Sequence, residues 1–202
     1  MVMSNRKSPQ VIIFDGATGS GKSSLLKYLR QEYSHSVLVG TKLTTRQRRL
    51  ADNDWEFRFV DHIPHEYRSH CYNSLGMSYA VDYPSLVAAV REGLVYAFTC
   101  VDRVLIERIK FQFNTLAIYV YRSWTMGELE QLLVERGPAD PTTRQLRLAE
   151  VAAVAQSYGD NVDLYDHVIL NLASEADLHK QFNKLMASYD LGPSLGRPER
   201  TP

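Results

Sequence analysis

A glycine-rich turn between two apolar segments is the feature that most constrains the fold. Residues 16–23 read GATGSGKS and match GxxxxGK[ST] at every specified position. They follow the β-branched run VIIF (11–14) and lead into KSSLLKYLRQEY (22–33), whose leucines fall on one helical face. When such a turn lies between a strand and a helix, backbone N–H groups and the N-terminus of the helix point towards a bound anion. The motif therefore predicts a P-loop that binds a polyphosphate.

Residues in and next to this loop are candidates for contacts with the phosphates and with a metal ion. Lys22 can reach the terminal phosphates, and the Ser23 hydroxyl is placed to hold Mg²⁺. Asp15, directly before the loop, is either a turn residue or a base or ligand of metal-bound water. The predicted nucleotide-binding set is Gly16, Ala17, Thr18, Gly19, Ser20, Gly21, Lys22, Ser23 and Ser24, with Ser23 as the metal-binding residue.

Strand and helix patterns alternate along the rest of the chain. LVYAFTCV (94–101), LAIYVY (116–121) and DHVILN (166–171) are apolar runs, and each precedes a segment of helical period. This alternation predicts a three-layer α/β fold with a mostly parallel central sheet covered on both faces. Helix boundary signals lie at Asp82, Gly93, Ser174 and Asp177, the last two forming a capping box.

One domain, residues 1–190, accounts for this pattern, with its core in 11–40 and 84–190. The segment 41–83 is rich in Arg, His, Tyr and Asn and has little helical period, which is typical of an insertion that binds a ligand. The tail 191–202 is rich in Gly and Pro, and we expect it to be disordered.

Composition excludes several classes of partner. The 23 Lys and Arg residues balance 23 Asp and Glu residues, so the summed charge gives no general attraction to nucleic acid or membrane. The N-terminus lacks the apolar core of a signal peptide, and no apolar run approaches the roughly 20 residues that cross a bilayer. We therefore expect a cytoplasmic protein.

Cys71 and Cys100, and likewise His62, His65 and His70, lack the spacing of a metal site.

A nucleotide-binding loop alone does not separate a kinase from a GTPase switch or a motor. The Asn-Lys-x-Asp signature and the Asp-x-x-Gly expected after the third strand of a switch GTPase are absent. A small kinase needs a second anion site and an arginine-bearing lid, because transfer between polyanions requires charge neutralisation and exclusion of water. TTRQRRLADNDWEFRFV (44–60) combines arginines with aromatic residues and predicts this second site.

In these features the sequence resembles the guanylate kinase family. The family's acceptor-binding segment reads Thr-Thr-Arg, two residues, Arg, an acidic residue and then an aromatic-x-Phe-Val strand, as residues 44–60 do. The P-loop with SSLLK, the stretch YAVDYPSLVAAVREGLVY, ERG followed by RQLRL, and YDHVILN occur in the family's order. The resemblance spans residues 11 to about 187, and it implies a nucleoside monophosphate kinase fold with ATP and Mg²⁺ as cofactors.

The resemblance also implies roles for single residues. By position, Arg46 and Arg49 clamp the acceptor phosphate, and Asp52 lies near it. Tyr79 donates a hydrogen bond to the same phosphate, and Asn171 lies against the donor adenine or simply ends the last strand.

An arginine-bearing lid is implied within residues 136–147. Arg136 and Arg147 match positions at which the family's arginines close over the transferring phosphoryl group. Leu132 replaces a third cation, and Arg144 is a candidate to compensate. An ordinary surface helix is the alternative.

Several positions depart from the family's pattern. Phe57 stands where the family has a phosphate-binding tyrosine, and His70 or a neighbour falls where a glutamate reads the N–H edge of guanine. Thr99 and Val101 stand where the family has alternating aspartates. Asp102 follows one position later, where it either orients Mg²⁺-bound water or the acceptor, or caps the next helix. Without that glutamate, we expect most discrimination for guanine to be lost.

The sequence thus predicts an ATP-dependent kinase that transfers the γ-phosphoryl group to a phosphate-bearing small molecule, with a nucleoside monophosphate as first candidate. Lys22, Arg136 and Arg147 are its expected catalytic residues. The alternatives are a sugar-phosphate kinase of the ribose bisphosphate type, a binding module that has lost turnover, and a nucleotide-gated regulator. A monomer or homodimer is expected.

Overall fold

The computed structural model describes residues 7–49, 52–74, 76–135, 145, 149, 156, 158–172 and 174–193. The three arginines of the predicted lid, Arg136, Arg144 and Arg147, lie outside the described residues, and so does the tail from residue 194 onward.

Outside the segment 41–83, strands and helices alternate, as the sequence predicts. The strands are β1 (Val11–Asp15), β2 (Val37–Val39), β3 (Lys42–Thr44), β4 (Phe57–Phe59), β5 (Cys71–Ser74), β6 (Met77–Val81), β7 (Val95–Thr99), β8 (Thr115–Tyr121) and β9 (His167–Leu170). The helices are α1 (Lys22–Glu32), α2 (Tyr83–Arg91), α3 (Arg103–Gln112), α4 (Met126–Glu135) and α5 (Glu175–Ala187), with short 3-10 turns at His65–His70 and Val162–Leu164.

The central sheet has five parallel strands in the order β2-β7-β1-β8-β9. Its middle strand, β1, pairs with β7 on one side and with β8 on the other. Parallel strands place all their carboxyl ends at one edge, and in open α/β sheets ligands bind outside that edge. The predicted mostly parallel α/β fold is confirmed.

Helices cover both faces of this sheet, as the alternation along β1 shows. Ile12 and Phe14 pack with α1 and α5, whereas Val11 and Ile13 pack with α2 and α3. All four side chains are almost completely buried. A strand buried on both faces needs apolar residues at consecutive positions, which is why VIIF is a continuous apolar run.

The segment 41–83 forms a second sheet, of order β4-β3-β6-β5. β3 pairs with β4 in parallel and with β6 in antiparallel, and β5 and β6 form an antiparallel pair. A small apolar cluster of Leu43, Ile63 and Ala80 supports it. The sequence predicted a distinct segment here, and of its strands the resemblance implied the aromatic one that forms β4.

The predicted helix N-termini at Asp82 and Ser174 are confirmed by their caps. The Asp82 carboxylate accepts a hydrogen bond from the Ser85 amide at the start of α2. Ser174 and Asp177 form the expected reciprocal capping box at α5. These bonds satisfy amide groups that the first turn of a helix leaves without partners.

The core extends beyond the expected domain boundary at residue 190. Leu191 belongs to the predicted disordered tail, yet it is buried against the α1 and α5 side of the sheet. Its amide donates to the carbonyl of Met186, which ties the start of the tail to the end of α5.

Candidate active site

The P-loop lies at the carboxyl edge of the central sheet, between β1 and α1. Gly16, Gly19 and Gly21 have φ angles of 138°, 80° and 108°, which side chains other than glycine rarely adopt. A Cβ atom on Gly16 would also lie 2.2 Å from the carbonyl oxygen of Val120. The Lys22 ammonium donates to the carbonyls of Gly16 and Ala17, at 2.6 and 2.7 Å, and so closes the loop on itself.

A cavity of about 500 Å³ joins this loop to the second sheet. Most of the predicted site residues line it together, although they come from opposite ends of the sequence. These are Gly16, Thr18, Gly19, Ser20, Gly21, Lys22, Ser23, Ser24, Arg46, Arg49, Asp52, Phe57, Tyr79 and Asn171. Ala17 does not line the cavity and contributes its carbonyl to Lys22.

Asp52 holds the Arg46 side chain in place. Both carboxylate oxygens accept from the Arg46 guanidinium at 2.6 Å, and one of them also accepts from the Arg49 amide at 2.6 Å. Partial burial acts to raise the pKa of Asp52, but these hydrogen bonds outweigh it and the pKa is lowered. The Arg46 guanidinium carbon lies 4.4 Å from the centroid of the Phe57 ring, so Phe57 supports the arginine by stacking.

Tyr79 lies on β6 opposite Tyr72 on β5. The two rings stack with centroids 5.4 Å apart, and both residues line the cavity. Burial raises the pKa of Tyr72 well above its ordinary value, so its hydroxyl remains protonated. The pair forms an aromatic wall on the second-sheet side of the cavity.

Asn171 connects the last strand of the central sheet to the P-loop. Its side-chain amide donates to the Ser20 carbonyl at 2.9 Å. A Cβ atom on Gly21 would lie 2.7 Å from the same amide nitrogen. Asn171 therefore fixes the loop at the end of β9.

Two predicted residues, His70 and Asp102, are not among those that line the cavity. The His70 ring stacks on Tyr83 with centroids 3.7 Å apart, and its Nδ1 pairs with the Ser69 hydroxyl. Burial lowers the pKa of His70, and the nearby Arg108 adds to this effect. Asp102 caps α3 by accepting from the Leu105 amide at 2.8 Å, which is the helix-capping alternative stated above.

Asp15 is buried beneath the P-loop. Its carboxylate accepts from the Gly16 amide at 2.6 Å and from the Tyr165 hydroxyl at 2.5 Å. Burial raises the pKa of Asp15 despite these two hydrogen bonds. Of the two alternatives for Asp15, the contacts match the turn residue, because they fix the first amide of the loop.

Sequence reasoning missed Lys42 and Glu56, two buried charged residues that line the cavity. Lys42 donates to the Thr99 hydroxyl at the end of β7. Glu56 accepts a hydrogen bond from the Ser23 hydroxyl at 3.1 Å. No local pattern marks Lys42, because β3 reads Lys-Leu-Thr and only Leu43 in it is apolar.

Arg122 and Trp124 were also missed, and they line the donor side of the cavity. The Arg122 guanidinium carbon lies 3.9 Å from the centroid of the Trp124 ring. A Cβ atom on Gly19 would lie 2.9 Å from the same ring. Both residues follow β8 closely, at the carboxyl edge of a parallel sheet, and this position could have identified them as candidate site residues.

No group of three or more His, Cys, Asp or Glu residues suited to a metal ion occurs within the described ranges. Nor does any helix in that part of the chain have the length and apolar character needed to span a membrane.

The parallel sheet, the P-loop at its carboxyl edge and the second sheet across the cavity define a protein of the P-loop kinase type. No protein-family model matches the sequence. The chain is 27% identical over 190 residues to the guanylate kinase of Wolinella succinogenes, which covers 91% of this chain and 84% of the relative.

The fold agrees with that sequence match. The crystal structure of guanylate kinase from Anaplasma phagocytophilum superposes with a TM-score of 0.60 over 93% of this chain and 89% of that chain, at 17% identity. The two findings together support a guanylate kinase-like family for this protein.

Proposed function

We propose that this protein is an ATP-dependent kinase that transfers the γ-phosphoryl group of ATP to a phosphate-bearing small molecule. One observation carries the proposal: a single cavity is lined on one side by the P-loop residues other than Ala17 and on the other by Arg46, Arg49 and Tyr79. Transfer between two bound polyanions requires this adjacency, because the reacting groups must be held in line and out of water.

The donor half would hold the ATP phosphates through the loop amides and Lys22. In the free protein the Lys22 ammonium bonds to two loop carbonyls, and phosphate oxygens of ATP would replace them as stronger, charged acceptors. Arg122 and Trp124 would border the same nucleotide beside Gly19.

The Ser23 and Glu56 oxygens fit the Mg²⁺ that such a kinase uses. Both are hard oxygen donors, they lie 3.1 Å apart, and both residues line the cavity. When bound, the ion would neutralise charge on the phosphate oxygens. Glu56 would orient the Ser23 hydroxyl, and it belongs to the segment that carries the acceptor-site arginines.

The acceptor half would bind the phosphate of the second substrate. Asp52 holds the Arg46 guanidinium in a fixed plane, which lowers the entropy lost when a phosphate binds. Arg49 and Tyr79 would supply further donors, and Phe57 would support Arg46 without donating a hydrogen bond.

GMP is the first acceptor to test, because the curated relative is a guanylate kinase. The sequence departs from the guanylate kinases where guanine is read, and His70 stacks on Tyr83 away from the cavity. A sugar phosphate of the ribose bisphosphate type is therefore the second candidate. A binding module without turnover is less well supported, because the P-loop keeps every glycine and Lys22.

A coupled assay of ADP release tests the proposal. We expect ADP release to depend on one member of a panel of nucleoside monophosphates and phosphosugars, and to fall by at least roughly a hundredfold in Lys22→Ala. An ADP release rate that no acceptor increases would refute the kinase proposal and leave nucleotide binding alone.

A further inference from the structure

Lys42 is a buried cation at the junction of the two sheets. It begins β3, in the second sheet, and its side chain reaches Thr99 at the carboxyl end of β7, in the central sheet. Only 6% of its surface is exposed, yet it lines the cavity between the P-loop and the acceptor-site arginines.

The direct contacts of Lys42 within the described part of the chain are with neutral groups. The ammonium donates to the neutral Thr99 hydroxyl and lies 4.9 Å from the centroid of the Phe57 ring. Within the described residues it forms no ion pair. The Glu56 carboxylate is close enough to oppose the lowering of the Lys42 pKa that burial causes, but it bonds to Ser23 instead.

Such an arrangement costs folding free energy, because a buried ammonium loses its hydration and the nearby Glu56 carboxylate does not bond to it directly. A methionine of similar length would avoid that cost at this position. An ammonium has three N–H donors, and the Thr99 hydroxyl uses one of them, so with respect to the described residues two are left for a ligand in the cavity.

We propose that Lys42 binds an oxyanion of the acceptor, with phosphate as the group that it recognises. Together with Arg46 and Arg49 it makes the acceptor half of the cavity a site of three cationic side chains. The inference rests on the proposed function only in placing the acceptor in this cavity. Because Lys42 carries no hydrogen-bond acceptor, it is unsuited to the N–H edge of guanine.

The phosphate that Lys42 binds has two possible sources. One is the phosphate common to all the candidate acceptors, since Lys42 and Arg46 both flank the Phe57 ring. The other is a second phosphate at the opposite end of a doubly phosphorylated sugar. The chemistry is the same in both cases, and a set of probes distinguishes them.

Titration calorimetry with inorganic phosphate, GMP and a ribose bisphosphate tests the proposal without needing turnover. We expect Lys42→Met to weaken binding roughly tenfold or more, and Lys42→Arg to restore part of it. The matched control is Lys27→Met, which removes the same charge from an exposed position on α1 and should change nothing. A loss for all three probes identifies the common phosphate, and a loss for the bisphosphate alone identifies the second one.

Thermal melting separates ligand binding from a structural role. We expect Lys42→Met to melt at or above the temperature of the wild type, because the buried charge is gone. Lys42→Gln, which keeps a polar group, repeats the binding test if the methionine variant does not fold. Equal affinities of the wild type and the charge-free variants for every probe would overturn the inference, as would a wild type that binds none of them.

The outcomes also separate this inference from the proposed function. Weaker binding in Lys42→Met without acceptor-dependent ADP release would refute the kinase and leave the oxyanion site standing. Turnover in the wild type with unchanged acceptor binding in Lys42→Met would refute the oxyanion site alone.

Discussion

At the scale of single residues, Arg46 and Arg49 differ in how they are held. Asp52 binds the Arg46 guanidinium in two hydrogen bonds, whereas it binds Arg49 through the backbone amide. The Arg49 side chain lines the cavity beside them. Arg49 is therefore the better residue to remove, because truncating it leaves the Arg46–Asp52 pair in place.

We predict that Arg49→Ala raises the KM for the acceptor by roughly tenfold or more, since a charge-assisted hydrogen bond to phosphate is lost. The KM for ATP should stay within about twofold of the wild type, because the P-loop contacts are untouched. Steady-state kinetics with each substrate varied in turn measures both values. Arg91→Ala, at an exposed position on α2, is the matched control, and equal rises in both KM values would contradict the assigned role.

Asp15 gives a prediction about stability and pH. Burial raises its pKa in the folded protein above the ordinary value of 3.8. The folded state then holds the proton more tightly than the unfolded state, so stability falls as the pH rises through the folded pKa. Each unit of pKa difference corresponds to about 1.4 kcal/mol.

Asp15→Asn removes this ionisation and can still accept a hydrogen bond from the Gly16 amide. We expect its free energy of unfolding, relative to the wild type, to increase by about 1 kcal/mol between about pH 4 and about pH 7. Urea denaturation at the two pH values measures the difference. A difference that stays constant with pH would show that Asp15 does not titrate in this way.

At the scale of elements, Asp102 is assigned to the start of α3 by its hydrogen bond to the Leu105 amide. We predict that Asp102→Ala lowers the free energy of unfolding by about 1 kcal/mol, the usual effect of removing an N-cap. Asp102→Asn keeps an acceptor oxygen and should restore most of that stability. In both variants kcat for the folded enzyme should be unchanged, and a large loss of kcat in Asp102→Asn would instead indicate a role in the reaction.

The elements also differ in how well the sequence predicts them. β1, β7, β8 and β9 are apolar runs with helices after them, and α2 and α5 carry their own capping residues, so local signals suffice. β3 and β4 have three residues each and belong to a sheet whose pairings join distant parts of the chain. A strand of three residues is too short to show a hydrophobic period in the sequence. It is recognised only by the strands with which it pairs.

At the scale of the whole molecule, the two halves of the cavity belong to different sheets that Lys42 and Thr99 connect. A ligand that binds either half stabilises the fold by mass action, by about 2.7 kcal/mol at a concentration of 100 times its Kd. We therefore predict that ATP and the acceptor each raise the melting temperature by roughly 5 to 10 °C.

The two effects should be separable by variant in differential scanning calorimetry. Lys22→Ala should lose most of the ATP effect and keep the acceptor effect, and Arg49→Ala should do the reverse. Loss of both effects in a single variant would show that the halves do not bind their ligands independently.

The sequence by itself determined the P-loop, the parallel central sheet and the helix caps. Each of these is encoded by residues close together in the chain: the glycines that reach positive φ, the apolar runs of the buried strands and the side chains that cap the next turn. The resemblance to guanylate kinases also predicted Arg46, Arg49 and Tyr79 as acceptor-site residues, and the fold brings all three into one cavity with that loop. Only the tertiary structure placed Lys42 against Thr99 and Glu56 against Ser23, and it left His70 and Asp102 outside the cavity lining. The reason is physical: these positions depend on contacts between residues far apart in sequence, and packing of the two sheets decides which side chains meet.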